Sequence, residues 1–168
     1  MLQHGARKVY AIDVGYGQLD YKLRTDERVV NMEKTNIRYL DTSLIEEPVD
    51  LISIDVSFIS VKHMFPVAAQ VLSDDGLILC LVKPQFEAGR EQVGKGGIVR
   101  EKSVHEDVIN NVIGYASDNG LYARELSYSP IKGTKGNIEY LLLLSRKKCD
   151  NKAGVSKVVN EAHSGLNK

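Results

Sequence analysis

Three charged side chains stand at the ends of apolar runs. Asp55 closes Asp50-Leu-Ile-Ser-Ile-Asp55, and Lys83 closes Gly76-Leu-Ile-Leu-Cys-Leu-Val-Lys83. Glu139 lies near the start of Ile138-Glu-Tyr-Leu-Leu-Leu-Leu144. A charge after so many apolar neighbours is costly unless it reaches solvent or a partner. If the first two runs are adjacent parallel strands and the third runs antiparallel, all three groups arrive on one rim. Three charged groups converging on one rim are harder to dismiss as structural than each would be alone. A structural ion pair at a strand terminus is the plainer alternative for Asp55 and Lys83. A solvated strand residue is the plainer one for Glu139. Pro84 ends the Lys83 strand because it cannot donate to a ladder.

A second group of candidates binds rather than reacts. Asp13, in Ile12-Asp-Val-Gly-Tyr-Gly17, ends a strand-like run, where an acid can hold both hydroxyls of a ribose. Gly15 and Gly17 let the backbone approach a ligand or turn tightly. A turn cap with loop glycines is the alternative. Glu33 ends the next run, with Asn36 close behind, and that loop suits contact with an adenine edge. Gly89-Arg-Glu-Gln-Val-Gly-Lys-Gly96 comes near a phosphate loop, but Gly96 stands where Ser or Thr belongs and no helix follows at once. With Arg90, Lys95, Arg100 and Lys102, this segment reads instead as a mobile basic lid able to meet RNA phosphates. Lys132 and Lys135 extend the same patch. A solvated loop is its alternative. His4, His63, His105 and His163 show no ligand spacing, and no metal site is expected.

The elements that must position these groups alternate strand and helix. Strands are expected over 9–13, 29–33, 50–55 and 76–83, the last two buried on both faces. Apolar spacing predicts a helix over 60–72, stopped by Gly76. A second helix is predicted over 103–119, begun by Ser103 with Glu106 as a capping box and ended by Asn119-Gly120. Runs 121–128 and 138–144 leave no room for a crossover helix and form an antiparallel pair. The fold class is therefore α/β, a doubly wound, mostly parallel sheet with one antiparallel strand. Residues 1–147 form the domain, and 148–168 a polar tail, with a short weakly amphipathic stretch, that is loosely attached or a frayed helix. Gly5 fits a helix stop, so the chain is expected to begin inside a helix.

The totals agree with one globular domain: 168 residues, 43% hydrophobic, 26% charged. Lys+Arg 22 against Asp+Glu 22 leaves no net charge, so RNA binding would need clustered basic residues rather than bulk charge. Cys80 reads as a buried hydrophobe and Cys149 as part of the tail. With no disulfide framework, leader or spanning stretch, a cytoplasmic protein away from membranes is expected.

Taken together, Val9-Tyr-Ala-Ile-Asp-Val-Gly-Tyr-Gly-Gln-Leu19, Asn36-Ile-Arg-Tyr-Leu40, Asp50-Leu-Ile-Ser-Ile-Asp-Val-Ser-Phe-Ile-Ser60, Leu81-Val-Lys-Pro-Gln-Phe-Glu87 and Lys135-Gly-Asn-Ile-Glu-Tyr140 resemble the TlyA family, FtsJ-like rRNA methyltransferases often labelled hemolysins. The resemblance runs from residue 1 to about 147. It implies a Rossmann-like S-adenosylmethionine-dependent fold and 2′-O-methylation of ribose in ribosomal RNA or a ribosomal subunit. It also implies an S4-like RNA-binding domain upstream. Asp55, Lys83 and Glu139 match the last three members of the family's Lys-Asp-Lys-Glu tetrad. Asp13, Gly15, Glu33 and Asp55 fall at cofactor positions. The first Lys, the first strand and its Gly-rich cofactor loop lie outside the chain. The missing strand would run centrally, between those carrying Asp13 and Asp55, so the chain by itself is expected to be inactive or weak in cofactor binding.

By the same resemblance Lys83 helps deprotonate the 2′-hydroxyl, while Asp55 and Glu139 orient the lysines. Rival readings are a nucleobase N-methyltransferase, from Asp55-Val-Ser-Phe58, and a cytolysin, from the family's label. A nicotinamide dehydrogenase using Asp13 is the third.

Overall fold

Val9–Ile12 (β1) and Val29–Met32 (β2) each stop one residue short of their terminal acids. They pair in parallel, with Val9 opposite Val29 and Ile12 opposite Met32. The crossover between them holds one helical turn, Tyr21–Arg24 (α1), begun by Asp20, whose carboxylate accepts from the Lys22 amide at 2.8 Å. Leu2–His4 form a 3₁₀ turn closed by Gly5 at φ 92°, which gives Gly5 its expected place as a stop. Two further 3₁₀ turns, Ile37–Tyr39 and Thr42–Leu44, are capped by Asn36 and Asp41. These elements make up the first of two compact units, Met1–Glu47; the second is Pro48–Lys168. The computed structural model describes residues 1–148 and 154–166; Cys149 and parts of the expected tail lie outside the described residues.

The second unit is built on a four-stranded sheet in the order β3-β4-β6-β5. Val49–Ile54 (β3) runs parallel to Leu72–Val82 (β4), and Tyr140–Ser145 (β6) runs antiparallel to both β4 and Tyr122–Tyr128 (β5). The mixed α/β character and the reversed last pair are as the sequence implies. The ladder is not continuous, however: β1 and β2 form a sheet of their own.

Burial differs from the expectation of strands covered on both faces. Ile78, Cys80 and Val82 on β4 stand directly opposite Leu144, Leu142 and Tyr140 on β6, and all six are buried. Leu79, between them, is exposed, and Leu51 on β3 is 47% exposed. Successive side chains on a strand point to opposite faces, so Ile78, Cys80 and Val82 share the covered face and Leu79 falls on the other.

Both helix predictions shift. The first helix is a 3₁₀ turn, Val61–His63, followed by Phe65–Val71 (α2). Arg146 closes it rather than Gly76, by donating to the carbonyls of Ala69 and Leu72. Gly76 lies inside β4, where a Cβ would come within 2.6 Å of Leu72. The second helix is Lys102–Ser117 (α4), with Glu101 at the N-cap and no side-chain cap, so the Ser103–Glu106 box does not form. Burial of Val104 and His105 sets its start instead. The expected loose tail contains a third helix, Val155–Gly165 (α5), packed on α4 and β5 through the buried Val159 and Ala162.

His105 and His163 face one another where α4 meets α5, with ring centroids 4.8 Å apart. His105 Nε2 lies 3.0 Å from the Val99 carbonyl, which can only accept, so Nδ1 accepts from the Tyr140 hydroxyl at 2.8 Å. Burial holds the His105 imidazole below its usual 6.5. Burial, His105, Lys102 and Lys132 do the same to His163. Below pH 6.5 the unfolded chain therefore binds protons that the folded one refuses, and stability falls with pH. Protection factors in α5, taken relative to the intrinsic exchange rate at each pH, are expected to fall between about pH 7 and 5, and His163→Gln to suppress that fall. An equal fall in the variant would assign the effect elsewhere.

Candidate active site

The rim of the second unit collects the three predicted groups through strand register. Ile54 pairs with Cys80, so Asp55 leaves β3 at the carboxyl end of the sheet. Val82 pairs with Tyr140, which puts Lys83 and Glu139 at neighbouring places just beyond that pair. Lys83 Nζ lies 2.6 Å from Asp55 Oδ1 and donates to Ser57 Oγ at 3.1 Å. The Lys83 side chain is only 12% exposed, whereas that of Asp55 is open to solvent. Two acceptors thus fix an ammonium whose stem is covered.

Glu139 is buried, 8% exposed, and not the outward-facing strand residue of the plainer reading. It stands one residue before β6 rather than inside it. Its Oε1 accepts from Gln85 Nε2 at 2.9 Å, so Lys83's direct partner is Asp55 and Glu139 reaches the rim through Gln85. Gly133 is needed beneath it, because a Cβ there would come within 2.2 Å of that carboxylate oxygen. Gln85 Oε1 is buried without a partner among the described residues, an acceptor at the rim left for a donor from outside.

Pro84–Glu87 (α3) is a single helical turn opened by Pro84 at its first position, directly after Lys83. It aims Gln85, Phe86 and Glu87 back at the rim. Phe86 lies 4.9 Å from Phe58 between ring centroids and 6.0 Å from Lys83 Nζ. Phe58 is 90% exposed and holds φ 64°. An aromatic residue in that region carries a strain of order 1–3 kcal/mol, the kind of conformation that persists at functional sites. Sequence reasoning noticed Phe58 only as part of a rival motif, and it passed over Ser57, Gln85 and Glu87. Their spacing after Asp55 and Lys83 was visible; the turn that folds them back was not.

The basic segment is not the free lid that its composition suggests. Arg90–Gln92 form a 3₁₀ turn, Gly94 bridges Ile98, and Val99 is buried. The buried Asn137 ties this segment to the turn preceding Glu139. Its Oδ1 accepts from the Val99 amide at 3.2 Å, and its Nδ2 donates to the Gly97 and Thr134 carbonyls. Lys135 Nζ comes near Gly97, and Arg100 lies over Gly94. Arg90, Lys95, Arg100, Lys132 and Lys135 are all exposed.

In the first unit, Asp13 follows β1 and accepts from the Gly15 amide at 2.6 Å through Oδ1; its second oxygen has no partner among the described residues. A Cβ at Gly15 would meet Gln18 at 2.8 Å and Asp13 Oδ1 at 3.0 Å, so a larger residue there would push these side chains from their places in the loop. An exposed carboxylate with a free oxygen, above a loop closed this tightly, suits the vicinal hydroxyls of a nucleoside. Glu33 differs from its expected role. Its oxygens accept from the amides of Gln18 and Leu19, at 2.6 and 3.0 Å, and from Asn31 Nδ2 at 3.2 Å. Those bonds, led by the Leu19 amide, hold its carboxyl down to about 2. Glu33 shapes the loop after Asp13 rather than offering a free carboxylate. Among the described residues, no group of His, Cys, Asp and Glu could hold a metal ion, and no helix is long and apolar enough to cross a membrane.

Comparison with known proteins places this geometry. The Bacillus subtilis protein YqxC, named as an rRNA methyltransferase, is 51% identical over 144 residues, 85% of this chain and 51% of that protein. The 16S/23S rRNA (cytidine-2′-O)-methyltransferase TlyA of Mycobacterium tuberculosis H37Rv is 43% identical over 86% of this chain and 54% of its own length. A solved structure from Streptococcus thermophilus, labelled a hemolysin, superposes with a TM-score of 0.93 at 47% identity, covering 99% of this chain and 62% of that one. The chain thus spans about half the length of the curated relatives it matches. The family model for FtsJ-like methyltransferase matches residues 1–146, and the chain belongs to that family.

Proposed function

We propose that the protein carrying this chain transfers a methyl group from S-adenosylmethionine to a ribose 2′-hydroxyl of ribosomal RNA, in the cytoplasm. The observation that carries this reading is the Lys83 ammonium, covered and fixed by Asp55 and Ser57 one register place from Glu139. The relatives named as rRNA methyltransferases support it. When bound, S-adenosylmethionine supplies an electrophilic methyl group on a sulfonium. Asp13 accepts the ribose hydroxyls of its nucleoside over Gly15, with Glu33 keeping the loop closed. Lys83, having first given up a proton to solvent, takes the proton of the acceptor hydroxyl as the oxygen attacks, and Asp55 and Ser57 keep Nζ aimed. Glu139 and Gln85 complete the rim. Positioning the two reactants provides most of the acceleration. Arg90, Lys95, Arg100, Lys132 and Lys135 meet RNA phosphates. Residues 1–147 act as the methyltransferase part, with an S4-like domain upstream as its RNA-binding partner.

Transfer to a nucleobase nitrogen is the second reading, favoured by the exposed Phe58 beside the rim, which can stack on a base. Asp55 counts against it, since an acceptor for a base N–H must be free and this one is engaged by Lys83. Ribosomal subunits from cells lacking the protein, methylated in vitro and digested to nucleosides, are expected to yield 2′-O-methylribose by mass spectrometry. A methyl group on the base would overturn the assignment.

A further inference from the structure

Glu87 ends the single turn of α3 that begins immediately after Lys83. Its Oε2 accepts from Ser60 Oγ at 2.6 Å and its Oε1 from the Val61 amide at 2.7 Å. Ser60 and Val61 belong to the chain leaving β3, where Val61 is buried and opens the 3₁₀ turn before α2. Two segments therefore run side by side, 55–61 and 83–87, with ties along their length. Asp55 and Ser57 hold Lys83 at one end, the Phe58 and Phe86 rings touch in the middle, and Glu87 grips Ser60 and Val61 at the other. Phe58, in its left-handed conformation and nearly fully exposed, has little packing of its own to hold it. Glu87 is half-buried, and a carboxylate drawn even partly out of water is costly unless hydrogen-bonded. Both of these bonds go to the one segment that aims the reacting lysine.

We propose that Glu87 is a positioning residue for methyl transfer: by gripping Ser60 and Val61 it keeps segment 55–61 in register with Lys83, so that Asp55 and Ser57 stay aimed at Nζ and Phe58 stays beside Phe86. This rests on the reading of Lys83 as the group that meets the 2′-hydroxyl. A cap serving only α2 and its preceding turn would affect stability alone. A positioning role affects the chemical step.

The test uses the whole protein, ribosomal subunits from cells lacking it, and tritiated S-adenosylmethionine. Glu87→Ala is expected to lower kcat about 10–100-fold, the range found when a group that orients a reacting residue is removed, while KM for S-adenosylmethionine moves less than about twofold. Glu87→Gln keeps a carbonyl to accept from the Val61 amide and an amide to donate to Ser60 Oγ, and is expected to return kcat to within about threefold of wild type. Ser60→Ala should lower kcat in the same direction, and the double variant should fall short of the product of the two effects. Hydrogen exchange at the Val61 amide, with the buried Ile109 amide as reference, should accelerate in Glu87→Ala alone. If Ile109 exchanges faster as well, the alanine variant has lost its fold, and Glu87→Gln and Ser60→Ala carry the test. Wild-type kcat in Glu87→Ala, beside an inactive Lys83→Ala, overturns the positioning role and leaves the methyltransferase reading standing. Activity in Lys83→Ala overturns the reading beneath it. A kcat loss that Glu87→Gln does not restore, matched by an equal loss of stability, reduces Glu87 to a cap and also overturns the proposal.

Discussion

Lys83→Ala is expected to lower methyl transfer about 10²–10⁴-fold, the usual contribution of a positioned proton-transfer group. Equilibrium binding of S-adenosylmethionine should change by less than about twofold, since Asp13, Gly15, Glu33 and Asp55, the residues at cofactor positions, are all retained. The size of the loss follows from the geometry. Lys83 has its stem covered and its ammonium fixed by two acceptors, an aim that water or an exposed side chain would not reproduce. Lys83→Arg should not rescue activity, because a guanidinium keeps its proton throughout the pH range of the assay. Single-turnover transfer of tritiated methyl to ribosomal subunits, paired with calorimetric cofactor binding, measures both quantities. Turnover at the wild-type rate by the alanine variant would remove Lys83 from the mechanism.

Phe65→Ala should produce the largest change in stability. Phe65 is 0% exposed at the start of α2, and truncation leaves a cavity where a ring had packed. Such changes cost about 3–5 kcal/mol, a large share of what keeps a domain folded. A melting temperature lower by roughly 10–20 °C is expected by calorimetry. Phe58→Ala, seven positions earlier, supplies the contrast. Its ring is exposed and its backbone strained, so melting should stay level or rise slightly. RNA binding should instead weaken by about 1–3 kcal/mol, the value of one base stacked on an aromatic ring. A destabilised Phe58→Ala with unchanged RNA affinity would reverse the roles assigned to the two rings.

The legible parts of this protein were those that follow from local pattern. Apolar runs ending in Asp13, Asp55 and Lys83 announced strands, and the short Gly-containing link between the last two runs announced an antiparallel pair. Strand direction then put Asp55, Lys83 and Glu139 on one rim, and the register of β3, β4 and β6 agrees. Motif resemblance led to the family. Errors arose where a residue has both a local and a long-range partner. Gly76 looked like a helix stop, but Arg146, some seventy residues away in sequence, closes that helix. Ser103 looked like a cap, but the burial of Val104 and His105 moved the start. In the tail the weakly amphipathic stretch was legible as no more than a loose segment or a frayed helix, because the two buried residues of α5 have value only against α4 and β5.

By itself the sequence determined the class of fold, the reversed direction of its last strand and the three charged groups that reach the rim, because periodicity and strand direction are properties of neighbouring residues. The tertiary structure decided how those groups pair. Lys83 goes to Asp55 and Ser57, Glu139 to Gln85, and Glu33 to the amides of its own loop. It also showed the basic segment stitched down by Asn137, and Phe58 turned outward at a positive φ. Hydrogen bonds between side chains depend on distances across the fold, and those are set by packing many residues away.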